Sequence, residues 1–487
     1  MSLLHRTFWP LLNPGSRPLS DGPLNLPYQR PALPCRTFTS QHVEKVIEDV
    51  TLRMTDKDLA RLFENAFPNT LDTTVRWHVD GTQKKTKSKT HHTPKNDGAW
   101  EGPQSFIVTG DINAEWLRDS ANQLAQYQVL APKDKKIEIL ILGAINTQAE
   151  FVIEAPYCNA FQPPVRSRIE PTGNGQQDYV HPAYEQTRVF ECKYELDSLA
   201  HFLALGNQFY ASTRSTAFLT KRWYLALETL LQVLDEQSKP TFNETTGKYE
   251  RNEYLFQRTT STGTETLSLG GVGNPLNSGT GLIRSAFRPS DDATILGFFI
   301  PANAMMAVEL RRTAKLLKSA GKAELSMELS RRAELLEKAV WEHGVVTHKK
   351  YGSVFAFEVD GYGSQIIMDD ANLPSLLALP LMGFVDVSDS TYQNTRKMIL
   401  DKSSNAYYLK GKDFEAIGGP HIGLQHAWPM SRLVQAMTST DDDEILGSLE
   451  AVLKTSKLGL VHESIHVDRA ADFTREWLWI TRFPNGR

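Results

Sequence analysis

The sequence has few cysteines, no long apolar run and no excess of charge of one sign. Its three cysteines, Cys35, Cys158 and Cys192, are too few for a disulfide scaffold and permit at most one internal bridge. No run of about 18 apolar residues occurs, which excludes a transmembrane helix. The 53 Lys and Arg residues nearly balance the 57 Asp and Glu residues, giving a net charge of −4. This balance argues against nucleic acid or a membrane surface as a partner.

The amino acids that are present describe a helical protein with a large core. Hydrophobic residues make up 40% of the 487 residues, as in an ordinary globular chain. Apolar residues recur at helical spacing over 43–63, 114–130, 137–153, 185–205, 217–234 and 293–317, and further helices are expected after Lys322, Asn372, Tyr392, Leu424, Asp443 and Phe473. No alternation of strands with helices predicts a parallel sheet, so the fold class is all-α.

Two arrangements of these helices agree with the pattern. Helical hairpins closed into a ring fit it as well as a solenoid does, but no repeat of about 34 or 40 residues favours the solenoid. Short β-prone pieces at 106–108 and 354–359 predict small hairpins at one rim. Residues 1–40 contain a Pro-rich stretch and are expected to form an extended arm, followed by a single domain over 41–487.

Acidic and aromatic residues gather in short segments near predicted helix starts. The first segment contains Trp116, Arg118 and Asp119, a combination that can grip sugar hydroxyls. The alternative is a Trp in the core beside a structural ion pair. If the helices form a ring, several such segments meet at one rim and form a shared site.

Two adjacent aspartate pairs need separate explanations. They are Asp291-Asp292, after Phe287, and Asp369-Asp370, followed by Asn372. One member of each pair is expected to cap a helix. Crowding or burial raises the pKa of one of two neighbouring carboxyl groups, as a general acid near neutral pH requires.

The segment at 462–466 matches the pattern H-E-x-x-H. On a continuous helix, His462 and His466 would share one face and bind zinc, while Glu463 would activate water in a metallopeptidase. Gly459 and the β-branched residues that follow Glu463 argue against a helix there. The zinc peptidase is therefore the weaker hypothesis.

Taken in order, the motifs resemble those of the metal-independent exo-α-1,6-mannosidases of glycoside hydrolase family 125. They are GDINAEWLRDSANQ at 110–123, ECKYELDS at 191–198, FRPSDDA at 287–293, FEVDGYGSQIIMDDANLPSLL at 357–377, GGPHIG at 418–423 and HES at 462–464. The arm from Pro18 to Ser40 resembles the leader of fungal members. The resemblance implies an (α/α)6 barrel, with no metal and no cofactor.

By this resemblance the protein removes terminal α-1,6-linked mannose from an oligosaccharide or N-glycan, with inversion. Inversion needs two carboxyl groups roughly 6.5–9.5 Å apart, which leaves room for a water molecule. The acid maps to Asp291 or Asp292, and the base maps to Glu463. The resemblance assigns sugar binding to Trp116, Arg118, Asp119, Asp369, Asp370, Asn372, His421 and His462.

The ends of the chain leave two further questions. The sequence after Trp477 is shorter than the final helix of the family, so a mannoside-binding relative without turnover is the main alternative. The family resemblance implies the secretory route or the extracellular space. The first 12 residues contain no continuous apolar segment of a signal peptide, so a cytoplasmic location stays open.

Overall fold

The computed structural model describes residues 18–82, 102–110 and 112–475. The helices are α1 (Gln41–Arg53), α2 (Lys57–Ala66), α3 (Leu117–Ala125), α4 (Lys135–Glu154), α5 (Leu196–Thr213), α6 (Lys221–Gln237), α7 (Ser268–Gly271), α8 (Ile300–Ser319), α9 (Ala323–Gly344), α10 (Leu379–Met382), α11 (Ser390–Ile399), α12 (Pro429–Met437) and α13 (Asp442–Thr455). The described part of the chain is therefore rich in helix, as predicted.

The strands are short and pair antiparallel in small sheets of two or three strands. They are β1 (Val75–Val79), β2 (Gln104–Ile107), β3 (Glu115–Trp116), β4 (Ala160–Phe161), β5 (Asp178–His181), β6 (Val189–Glu191), β7 (Leu255–Arg258), β8 (Phe298–Phe299), β9 (Val345–His348), β10 (Gly352–Phe355), β11 (Glu358–Val359), β12 (Gln365–Ile366), β13 (Tyr408–Lys410), β14 (Glu415–Ile417), β15 (His426–Ala427), β16 (Ile465–His466) and β17 (Arg469–Phe473). The sheet orders are β1-β2, β3-β4-β6, β5-β7, β12-β11-β8, β10-β9, β13-β14 and β15-β16-β17.

The long helices pack in neighbouring pairs around a continuous core. Helix α3 contacts α5, α5 contacts α8, and α8 lies against α9, while α4 packs on α6 and α12 packs on α13. Every residue of α3 is buried, and so are nearly all residues of α5 through Phe209, which marks these two as central helices.

The beginning and the end of the described chain are in contact, which an open solenoid does not require. Helix α13 contacts α2. The side chain of Gln29 donates a hydrogen bond to the carbonyl of Leu458 at 2.7 Å, and that of Asn65 donates to the carbonyl of Gly459 at 2.8 Å. In the arm, Leu26 is fully buried and Arg30 forms an ion pair with Asp72 at 2.7 Å.

Several helix boundaries differ from the predicted ones. The window at 43–63 contains two helices, because Asp56 accepts hydrogen bonds from the first N–H groups of α2 and begins a new helix. The window at 185–205 begins with strand β6, and the helix predicted after Phe473 falls outside the described residues.

The two aspartate pairs do not begin helices, so the prediction that one member of each pair caps a helix is wrong. Asp291 has a φ of 68°, in the left-handed region, within a turn closed by an isolated bridge between Phe287 and Ala293. Helix α8 starts only at Ile300. After Asp369-Asp370 the chain has no regular helix before α10 at Leu379. Both pairs therefore lie in loops, where tertiary contacts rather than helical geometry direct their side chains.

Candidate active site

Four of the motif-bearing segments are loops and short strands that precede helices. Residues 112–116 lead into α3, 158–195 into α5, 287–299 into α8 and 418–428 into α12. Ion pairs and hydrogen bonds between these loops bring distant parts of the sequence together at one end of the helices.

Arg118, in the first turn of α3, lies at the centre of a buried ionic cluster. Its Nη1 is 2.5 Å from Oε2 of Glu195 and 3.3 Å from Oδ2 of Asp197, and its Nε is 3.5 Å from Oδ1 of Asp119. Burial acts against the charged form, but the three carboxylates raise the pKa of Arg118 well above its usual value. Arg118 and Asp119 thus belong to a cluster that joins α3 to α5.

Asp291 is the more accessible member of its pair, with 27% of its side chain exposed. Its Oδ1 lies 3.4 Å from Nδ2 of Asn159 and 3.9 Å from the ammonium group of Lys193. Burial alone would raise the pKa of Asp291, but the positive charges of Lys193 and Arg118 hold it below the usual value. Asp291 also has a hydrogen bond with Glu195, whose pKa burial raises well above its usual range. Within this pair, Glu195 therefore favours the protonated form and Asp291 favours the carboxylate.

Asp292 is buried and faces a different set of groups. Ser290 donates a hydrogen bond to its Oδ2 at 3.0 Å, and Nδ1 of His421 is 3.9 Å from its Oδ1. Burial and the nearby carboxylate of Asp370 raise the pKa of Asp292. His421 is 43% exposed in its side chain, so it lies at the boundary between this cluster and solvent.

The second aspartate pair divides its contacts between backbone and site. Asp369 is fully buried and accepts the backbone N–H groups of Leu376 and Leu377 at 2.9 and 3.0 Å. Burial raises its pKa to about 8. Asp370 accepts both the backbone and side-chain N–H groups of Asn372, at 3.0 and 2.9 Å. Asp369 is thus committed to the backbone, and Asp370 is the member that faces Asp292.

Glu463 follows both Asp119 and Asp291 in the chain and acts on the same ionic cluster. Its Oε2 accepts a hydrogen bond from the hydroxyl group of Thr474 at 3.0 Å and forms an ion pair with Nε of Arg475 at 3.0 Å. The side chain of Glu463 is 23% exposed. Burial first, and then the carboxylates of Asp291 and Glu463, raise the pKa of Asp119. Asp291 and Glu463 therefore both lie close enough to Asp119 to influence its pKa.

The helix that zinc binding requires is absent from the described H-E-x-x-H segment. Ile465 and His466 form strand β16, in which His466 pairs with His426 of β15. The ring of His462 stacks on Phe473 with centroids 3.9 Å apart, and its Nδ1 contacts the carbonyl oxygen of Arg475 at 3.0 Å. Within the described ranges, no three His, Cys, Asp or Glu residues are grouped so that they could hold a metal ion. The zinc interpretation is therefore wrong, because strand geometry does not place the two histidines one helical turn apart.

Trp116 contributes an aromatic wall next to the cluster. It is 8% exposed and packs edge to face against Phe190, with ring centroids 5.4 Å apart. Ile112 packs against the same small group. Trp116 is thus largely buried, and a small part of its side chain is exposed to solvent. Its role in sugar binding stays a prediction.

Sequence reasoning did not assign roles to Asn159, Lys193 and Glu195, although the last two lie in the quoted motif at 191–198. For Lys193 and Glu195, the available signal was a charged residue within a motif whose neighbours are apolar. Asn159 gave none, because it lies outside the quoted motifs and its contact with Asp291 joins segments 132 residues apart.

A second missed element is the ion pair of Arg288 with Glu358 on β11. The two side chains are fully buried and 2.6 Å apart, and the guanidinium of Arg288 also lies over the ring of Phe357. Glu358 accepts the backbone N–H groups of Ile295 and Leu296 as well. This pair fastens both ends of the loop that carries Asp291 and Asp292.

Comparison with known families agrees with this arrangement. The family model of the metal-independent α-mannosidases, GH125, matches residues 56–482. The chain belongs to this family. The prediction of family membership is confirmed, and with it the assignment as a glycoside hydrolase of the mannosidase type.

Two relatives of this GH125 chain cover nearly its whole length. The meiotically up-regulated gene 157 protein of Schizosaccharomyces pombe is 54% identical over 460 residues, covering 94% of this chain and 87% of the relative. A solved structure of a metal-independent α-mannosidase from Streptococcus pneumoniae, in a non-productive complex with α-1,6-mannobiose, is 29% identical with a TM-score of 0.78. That match covers 91% of this chain and 96% of the bacterial one.

The same comparison supports a helical architecture of the α/α type for this GH125 member. In the part of the chain that the structure describes, no helix combines the length and the apolar character needed to cross a bilayer.

Proposed function

We propose that this GH125 protein is an exo-acting, inverting mannosidase that removes terminal α-1,6-linked mannose. The observation that carries the proposal is that two partly exposed carboxyl groups, Asp291 and Glu463, both act electrostatically on the buried Asp119. Two separated carboxyl groups are what inverting hydrolysis requires. The relative from Streptococcus pneumoniae, which was solved with α-1,6-mannobiose, supports the choice of linkage.

In the proposed reaction Asp291 is the general acid and Glu463 is the general base. The acid donates its proton to the glycosidic oxygen as the bond to the anomeric carbon breaks. A water molecule attacks that carbon from the opposite face, and Glu463 takes the proton that the water loses. The products are β-mannose and the shortened glycan.

We favour Asp291 over Asp292 as the acid because of exposure. A general acid must reach the glycosidic oxygen, and the side chain of Asp292 is 1% exposed against 27% for Asp291. The positive charges of Lys193 and Arg118 favour the carboxylate of Asp291, so we propose that Glu195, whose pKa burial raises, passes a proton to Asp291 through the hydrogen bond between them.

The remaining predicted residues are proposed to shape the pocket for the terminal sugar. Trp116 offers an aromatic face, while Arg118 and Asp119 offer charged hydrogen-bonding groups at the same place. The other proposed contacts are Asp370, Asn372, His421 and His462. Asp369 is proposed to support this pocket through the backbone rather than to touch the sugar, because both its oxygens are already occupied.

We further propose that the helices close into an (α/α)6 barrel over 41–487, with the arm packed outside it. The contact between α13 and α2 supports closure. The buried disulfide between Cys158 and Cys192 favours an oxidising compartment, such as the secretory route, because thiols in the cytosol are kept reduced.

The test is the release of mannose from α-1,6-mannobiose in excess EDTA, with the first-formed anomer followed by NMR. We expect β-mannose from the native chain and none from Glu463→Gln. Glu450→Gln is the matched control, because Glu450 is a surface residue paired with Lys454. Binding of mannobiose without turnover by the folded native chain would instead identify a mannoside-binding relative.

A further inference from the structure

Two residues that hold Asp291 follow directly after the two bonded cysteines. Cys158 precedes Asn159, and Cys192 precedes Lys193. The side chain of Asn159 lies 3.4 Å from Oδ1 of Asp291, and the ammonium group of Lys193 lies 3.9 Å from the same oxygen. One covalent bond therefore joins the two segments that brace this carboxyl group.

The same two residues also bind each other. Oδ1 of Asn159 accepts the backbone N–H of Lys193 at 3.0 Å, and its Nδ2 donates to Glu195 at 3.2 Å. The carbonyl of Asn159 accepts the N–H of Leu117, which begins α3. Asn159 thus connects the cysteine segment to the partner carboxyl of Asp291 and to the first helix of the site.

The strands on either side of the bridge are too short to fix these positions alone. Strand β4 has two residues and β6 has three, and the register between them shifts at the pair Ala160–Phe161. Cys158 and Cys192 lie just beyond the last paired residues. In a ladder this short, few hydrogen bonds hold the flanking residues, and a covalent link limits how far they can separate.

We infer that the disulfide between Cys158 and Cys192 positions the carboxyl group of Asp291 for catalysis. It does so by keeping Asn159 and Lys193 beside that carboxyl group. The inference rests on the proposed role of Asp291 as the acid. It goes beyond general stabilisation, which a bridge between residues 34 apart in sequence provides in any case.

The charges around Asp291 determine what loss of the bridge does to its protonation. The titratable and charged groups that act on Asp291 or feel its charge are Lys193, Arg118, His421, Glu195 and Asp119. Of these, only Lys193 follows one of the bonded cysteines directly. If its ammonium group moves away, a positive charge that favours the carboxylate is lost, and Asp291 keeps its proton to higher pH.

The experiment compares the native chain with the double variant Cys158→Ala/Cys192→Ala. Cys35→Ser is the control, because Cys35 is exposed and outside the site. Activity on α-1,6-mannobiose is normalised to the folded fraction measured by circular dichroism. We expect kcat to fall about tenfold, because misplacing a catalytic group is costly, with little change in KM. The alkaline limb of the kcat profile is expected to move up by about one pH unit.

Lys193→Met, in a chain with the disulfide intact, provides an independent measurement. It is expected to move the alkaline limb in the same direction. This variant decides the question if the double variant does not fold, and an unmoved limb then overturns the proposal. A folded double variant with only a lower melting temperature, and with the native kcat and pH profile, also overturns it.

Failure of the proposed function is distinguishable, because the native chain itself would then release no mannose. In that case the same variants are compared by calorimetric titration with mannobiose as a function of pH. A shared pH shift in the double variant and in Lys193→Met supports the positioning role, and identical profiles in all chains contradict it.

Discussion

The two sides of the candidate site hold their carboxyl groups in contrasting ways. The loop of Asp291 is fastened by the buried pair of Arg288 with Glu358, and Asp291 itself faces Asn159 and Lys193. Glu463 contacts Thr474 and Arg475, and it lies in the segment that joins α13 to strand β16. An acid needs a controlled proton and a base needs a free lone pair. The two side chains are similarly exposed, Asp291 at 27% and Glu463 at 23%, so the contrast lies in the buried ion pair that supports the loop of Asp291.

The largest loss of activity is expected at Glu463. Glu463→Gln removes the base, so hydrolysis of mannobiose is expected to fall on the order of 10³-fold. The loss is expected to be equally deep with an aryl α-mannoside that has a good leaving group, since attack by water still lacks a base. Steady-state kinetics on both substrates check this. Equal activity of Glu463→Gln and Glu450→Gln would contradict the assignment.

The second prediction separates the acid from the base. Asp291→Asn is expected to lose roughly 10²- to 10⁴-fold on mannobiose but much less on an aryl α-mannoside, because a nitrophenolate leaves without protonation. Asp292→Asn is the matched comparison, because it changes the buried neighbour. If Asp292→Asn, rather than Asp291→Asn, loses activity on mannobiose but keeps it on the aryl α-mannoside, Asp292 is the acid.

The third prediction concerns the buried ion pair that supports the loop of Asp291. The variant leaves the proposed acid and the proposed base unchanged. Arg288→Met leaves Glu358 buried without its partner, which is expected to lower the free energy of unfolding by about 3–5 kcal/mol. Arg331→Met is the control, since its pair with Glu328 is exposed and is expected to cost at most about 1 kcal/mol. Denaturant unfolding measures both, and equal losses would contradict the contrast.

The smallest effect is expected at the pair of Arg475 with Glu463. The two side chains are 40% and 23% exposed, so Arg475→Met is expected to lower the free energy of unfolding by at most about 1 kcal/mol. The same unfolding measurement tests it beside Arg288→Met. A loss as large as that of Arg288→Met would show that both sides are braced equally.

Much of the helical framework was predictable. The windows at 137–153 and 217–234 became α4 and α6, because their apolar stripes are long and their caps are local: Asp134 begins α4 and Thr220 begins α6. The loop around Asp291 was not predictable in detail. Its left-handed residue is maintained by contacts from β11 and from the segment after Cys158, far away in sequence.

The candidate site, like the fold, was predictable from the sequence only in part. Motif order identified the family and brought Asp291, Asp292 and Glu463 forward as candidates, since those residue types carry the chemistry wherever they lie. Their environments required the fold: Asp369 turned out to serve the backbone, and Glu195 turned out to share the hydrogen bond of Asp291. His466 lies in strand β16 and His462 lies before it, so the two histidines do not share one face of a helix as zinc binding would require.

The sequence by itself determined the helical class, the family and the set of chemical groups, because periodicity and residue type are local properties. Only the tertiary structure decided which of these groups have shifted pKa values, which are fixed to the backbone and which reach solvent. Those properties depend on burial and on distances between segments that lie more than 100 residues apart, such as Asn159 and Asp291. No local pattern encodes such distances.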